Sequence, residues 1–217
     1  YRGIHISLKD RVPILSIGSN RSPYQLKNKF GVKENLCVTP AKLYNSVIVY
    51  AASMSAYGSI PATQWPCEGS VSDLNLLWLN QDQLQIMHLS EGLGIAYHYV
   101  ELDKNTVAIQ DDDYSGSIFG YISTRGGYLF DGNEPFRLKN IKTNTNTHSS
   151  INEYQALNKL FLENADGQTS LETWLKNFIS NKSKRFSLID KMSKKSFLPK
   201  HVPWKILDLK VNGNNIY

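Results

Sequence analysis

The chain has 217 residues, of which 41% are hydrophobic, 11% aromatic and 20% charged. That balance excludes a disordered polymer and fits one large domain, or one domain with an appendage. No apolar run approaches the roughly 18 residues that a membrane span needs, and the net charge of +5 is unevenly placed.

Residues 176–210 hold ten Lys/Arg against Asp190 and Asp208, a local +8 that leaves the remainder at −3. The segment has no interleaved stacking aromatics and no recognisable binding module. It reads as a solvated basic tail rather than a nucleic-acid site. Cys37 and Cys67 are too few for a disulfide framework and form no CxxC pair. Free thiols in a reducing cytoplasm are expected. The chain begins at Tyr1 and is read as processed or trimmed, so a leader is neither inferred nor excluded.

In chain order, Val12–Ile17 reads as a buried strand that ends at Gly18. Ser22-Pro23 supplies a helix N-cap and first residue, Leu26 and Phe30 share a face, and Gly31 closes the helix. From Thr39 to Met54 both faces of a strand are apolar, with Val47, Val49 and Ala51 alternating with Ile48, Tyr50 and Ala52. Pro61, Pro66 and Gly69 punctuate a loop before a strand at 70–80. There Leu74, Leu76 and Trp78 take one face, and Leu77 and Leu79 the other. The segment QDQLQIMHLSEG is a short helix with Leu84, Met87 and Leu89 inward, capped by Gly92, and His88 at its surface. Strands follow at 96–103 and 106–110, with a solvated turn at Asp111–Asp113. Arg125-Gly126-Gly127 signals a hairpin, and Asp131-Gly132-Asn133 another turn. After a polar linker at 143–149, two helices open on capping boxes, Ser150-x-x-Glu153 and Thr169-x-x-Glu172. Their apolar stripes, Leu157/Leu160/Phe161 and Leu171/Trp174/Leu175/Phe178/Ile179, call for packing against the main domain.

Metal, P-loop, dinucleotide and serine-nucleophile motifs are missing from the sequence. What remains is an ordered set: Gly18-Ser19-Asn20 after the first strand, Met87-His88-Leu89-Ser90-Glu91-Gly92 after a later strand and helix, then the strand bearing Tyr97. With AKLYNSVIVYAASM and SIPATQWPCEGSV between them, these resemble the γ-glutamylcyclotransferase-like family over residues 12–103, and more weakly to 142. The family's loop is Tyr-Gly-Ser-Asn and its acidic segment Leu-Asp-x-x-Glu-Gly. Here Ile17 stands for the tyrosine, Met87-His88 for Leu-Asp, and Asp73 for a usual glycine.

The resemblance implies an α+β fold with a small, mostly antiparallel or mixed, barrel-like sheet and peripheral helices over residues 1–142. Residues 143–217 would add a helical extension with a basic tail, packed on the same domain. It also implies a cofactor-independent, metal-free cyclisation in the cytoplasm: the α-amine of a γ-glutamyl group attacks its own γ-carbonyl, releasing an amine and 5-oxoproline. A single carboxylate can move the proton from the attacking to the leaving nitrogen. By resemblance that role falls to Glu91, and substrate binding to Ile17, Gly18, Ser19, Asn20 and Tyr97. The corner's N–H groups would face an anion or oxyanion. The departures leave open a binding or regulatory module on the same fold that has lost turnover. Polyanion recruitment by the basic tail is a further alternative.

Overall fold

The computed structural model describes residues 7–109, 114–132, 134–145, 147–165 and 170–207. The Asp111–Asp113 turn, Asn133 and the Thr169 cap lie outside them. The strands are β1 (Val12–Ser16), β2 (Cys37–Tyr50), β3 (Ala62–Leu79), β4 (Tyr97–Leu102), β5 (Val107–Ile109), β6 (Phe119–Ser123), β7 (Gly127–Tyr128), β8 (Arg137–Leu138), β9 (Thr143–Asn144), β10 (Ser150–Ile151), β11 (Ser196–Phe197) and β12 (Trp204–Ile206). The helices are α1 (Pro23–Phe30), α2 (Gln81–Ser90), α3 (Glu153–Asn164), α4 (Leu171–Ser180) and α5 (Lys182–Ser193), with a 3-10 turn at Ser19–Arg21.

The fold is α+β, as expected. Its sheet is larger than the sequence suggests and is an open path, β10-β8-β2-β3-β1-β6-β4-β12, with β5 on β2 and β9 on β3. Among the described residues, the parallel strand pairs are β1–β6 and β10–β8. Both faces are covered because the central strands are apolar on both sides. Leu74, Leu76 and Trp78 join Ile48, Tyr50 and Ala52 in the main core. Leu77 and Leu79 pack with Leu26, Phe30, Leu84 and Met87 from α1 and α2 on the other face. At roughly 1.5–3 kcal/mol for each fully buried large side chain, these two layers are the principal favourable contribution.

Several local expectations are corrected. Pro66 and Gly69 do not end a strand: β3 runs through them, and they mark an irregularity opposite Tyr44 and Ser46. There Asn45 has φ 53° and its Oδ1 accepts the Gly69 N–H at 2.9 Å. The Arg125–Gly127 turn does not join a hairpin, since β6 pairs with β1 and β4 while β7 pairs with β11. Leu89 is exposed, whereas His88 is buried. The start of the 143–149 segment is no free linker, because Thr143–Asn144, as β9, hydrogen-bonds to β3.

The first C-terminal helix is capped by Asn152 and Gln155 rather than by Ser150 and Glu153. The C-terminal helices number three among the described residues rather than two, and α4 starts from a Ser170 cap. Part of the basic tail is α5, which buries Leu188, Ile189 and Met192 in the same core as Leu160 and Trp174. Beyond it, β12 adds an edge to β4. Among the described residues no helix is long and apolar enough to cross a membrane.

Candidate active site

Topology brings the two key segments together. β3 is antiparallel to β1, with Leu79 opposite Val12 and Asn75 opposite Ser16. From Leu79 the chain turns at the Asn80 cap, and α2 runs back about 15 Å at 1.5 Å per residue, close to the length of β1. Glu91, the residue that ends α2, therefore stands at the exit of β1. β6 runs parallel to β1 and β4 antiparallel to β6, which puts Tyr97 at the same end, opposite Ser123. The start of β3 curls over this end. A Cβ on Gly18 would meet the Ala62 Cβ at 3.2 Å, tight enough to explain a glycine there.

All six residues chosen from the sequence, Ile17, Gly18, Ser19, Asn20, Glu91 and Tyr97, line one cavity of about 210 Å³. Asn20 Nδ2 donates to Glu91 Oε1 at 3.1 Å across 71 positions of chain. Within the corner, the Arg21 and Ser22 N–H groups are taken by the Gly18 and Ser19 carbonyls at 3.0 and 2.9 Å. Among the described residues, nothing accepts the Ser19 and Asn20 N–H groups. A second cavity of about 290 Å³ shares Ser19, Tyr57, Glu91 and Tyr97 with the first, so Glu91 stands on the partition.

Glu91 is not a bare acid. Lys29 Nζ, from the last turn of α1, pairs with its Oε1 at 2.5 Å. The same ammonium donates to Asn20 Oδ1 at 2.8 Å and lies 3.2 Å from Met87 Sδ. Both charged side chains are about one-seventh exposed, 14% and 13%. Tyr97 donates to the Ala62 carbonyl at 3.2 Å. Burial, reinforced by the Glu91 charge, holds its phenol far above the ordinary tyrosine range, so it acts as a neutral donor. Burial lowers the pKa of His88, keeping its ring neutral, and its Nδ1 lies 2.8 Å from the hydroxyl of Tyr121, itself a residue of the cavity lining. A neutral imidazole with hydrogen on Nε2 accepts that hydroxyl.

The lining residues that the sequence reading did not choose include Tyr57, Asn140 and Glu153. Glu153 is the most consequential. Assigned to a capping box, its carboxylate would be spent on its own helix. The Asn152/Gln155 box releases it to reach across the cavity, where Oε1 accepts the Ile60 N–H at 2.8 Å. Burial raises its pKa above the usual carboxylate range, only partly opposed by the Ile60 bond. The signal was present in the sequence as Asn-x-x-Gln at 152–155, a capping box offset by two residues. Lys29 had no comparable signal, since its partner is 62 positions away.

No family model and no curated protein matches the chain. Solved structures similar to it include a γ-glutamyl cyclotransferase, 17% identical over 52% of this chain and 67% of that one, with TM-score 0.44. A solution structure of an Arabidopsis thaliana protein is 15% identical over 55% and 74%, with TM-score 0.42. An uncharacterized Homo sapiens protein is 13% identical over 86% and 100%, with TM-score 0.46. Likeness at this level leaves the chemistry of the cavity to its own atoms.

Proposed function

We propose that the protein is a cofactor-independent, γ-glutamyl cyclotransferase-like enzyme acting on a small γ-glutamyl amine or peptide. The single observation that carries this reading is the convergence of the Gly18–Asn20 corner, Glu91 and Tyr97 on one small cavity. In this reading Glu91 accepts a proton from the substrate's α-ammonium. The freed amine attacks the γ-carbonyl carbon, and a C–N bond forms as the ring closes. The bond to the leaving nitrogen then breaks as Glu91 returns the proton to it. The second proton shed by the attacking nitrogen passes through the same carboxylate to the departing amine, which leaves as an ammonium, so the carboxylate ends as it began. Both reacting atoms belong to one molecule, and holding it folded supplies much of the rate. The Ser19 and Asn20 N–H groups face the developing oxyanion, and Tyr97, once its O–H swings away from the Ala62 carbonyl, adds a neutral donor. Glu153 supplies a second acceptor for the ammonium.

The test is 5-oxoproline release from a panel of γ-glutamyl amines. Turnover by the wild type that is lost in Glu91→Gln upholds the enzyme reading. The ion pair to Lys29 favours one rival, a binding module in which the acid is permanently neutralised. Saturable binding of a γ-glutamyl amine without any 5-oxoproline would select that rival.

A further inference from the structure

Arg21 closes the 3-10 turn at the β1 exit, and its side chain lines a further cavity of about 310 Å³ with the polar groups of Ser22, Asn75 and Asn140. Ile17, Gly18, Leu138 and Asn140 belong to this cavity and to the Glu91 cavity alike, so the two are adjoining chambers with a common wall.

The guanidinium is unusual within this chain. Among the described residues, every other arginine donates to an acceptor: Arg11 to the Ser7 and Trp78 carbonyls and Gln83, Arg125 to Ile95, Arg137 to His148, and Arg185 to Phe178. Arg21 has no such partner there, and among the described residues no carboxylate forms an ion pair with it. Its Nε is shielded from solvent without a hydrogen bond. Burial also pulls its pKa below the ordinary arginine value. Shielding one donor of a guanidinium without an acceptor is unfavourable, and a planar carboxylate is the acceptor whose geometry fits that fork.

We propose that Arg21 is the carboxylate subsite of the ligand whose ammonium end faces Glu91 and Glu153. This rests on the reading of the Glu91 cavity given above and adds the ligand's second charge. Across the shared wall, one chamber offers two carboxylates and the other an unmatched cation. The complementary ligand is amino-acid-like, bearing an ammonium and a carboxylate.

Calorimetric titration of the full chain tests the subsite, with γ-glutamylalanine, γ-glutamylalaninamide and glutarate as probes against wild type, Arg21→Gln and Arg21→Lys. Arg21→Gln should weaken γ-glutamylalanine and glutarate about 10- to 100-fold, the scale of a charge-assisted hydrogen bond. Arg21→Lys should restore part of that loss. If only the acid is weakened, the carboxylate held is that of the leaving residue. If acid and amide weaken together, it is the α-carboxylate, and either result upholds the subsite.

Unchanged affinity of Arg21→Gln for γ-glutamylalanine and glutarate overturns it, as does failure of wild type to bind any of the probes. Glutarate binding that depends on Arg21, with no γ-glutamyl binding, would sink the cyclotransferase reading and leave the carboxylate subsite standing. Should Arg21→Gln not fold, the Arg21 Nε–H resonance of wild type decides. It must move on saturation with glutarate, and a stationary signal overturns the proposal.

Discussion

Removing the ammonium from the Lys29–Glu91 pair is the sharpest perturbation of this site. Breaking a fully buried pair by deleting one partner costs roughly 3–5 kcal/mol, because the surviving charge is left uncompensated. Here each side chain keeps about one-seventh of its exposure, and Asn20 remains as a donor to Glu91. Lys29→Met is therefore placed at the lower end, about 3 kcal/mol. In the double variant Lys29→Met/Glu91→Gln no net charge is stranded, so the cycle should give a coupling of about 2 kcal/mol. Urea unfolding at pH 7, followed by tryptophan fluorescence, measures all four proteins. Repetition in 1 M salt should leave the coupling nearly unchanged, since shielded pairs are weakly screened. A coupling below about 0.5 kcal/mol, or one erased by salt, is the behaviour of an exposed pair and would refute the picture of a sequestered acid.

Glu153 has its pKa raised by burial, so the folded state holds its proton more tightly than the unfolded chain. Its contribution is complete below the ordinary value of 4.5 and is lost as pH rises through the higher folded value. Glu153→Gln should thus raise the melting temperature at pH 7 and converge with wild type near pH 4; a lowered melting temperature at pH 7 contradicts this. Gly18→Ala forces a methyl against Ala62 and should cost about 1–3 kcal/mol in chemical unfolding while weakening ligand binding. Trp174, packed edge-to-face with Phe161 and Phe178 and buried in the main core, should cost about 3–5 kcal/mol as Trp174→Ala. The loss should come within a single unfolding transition by calorimetry, whereas two separate transitions would mean that the C-terminal helices fold apart from the sheet.

What the sequence disclosed follows from the range of the forces involved. Period-two alternation at Val47–Ala52 and Leu74–Leu79 fixes which side chain faces which layer, and both layers are found. The Ser22-Pro23 start and Gly31 stop of α1 are local chemistry and were equally legible. Strand partners were not, because a two-residue strand such as β7 finds its mate at Ser196–Phe197, far beyond any hairpin. The same applies within the site. The corner and Glu91 carry recognisable local patterns. Lys29, His88 and Arg21 take their meaning from neighbours that no sequence window contains.

The cavity wall is assembled from positions as distant as Ile17 and Glu153. In the proposed reading, no nascent fragment can capture the ligand until α3 has been synthesised and docked. Such widely separated contacts form late and slowly. Ligand occupancy then reports on completed folding, and a saturating ligand would hold the two ends of this span together as a non-covalent clasp.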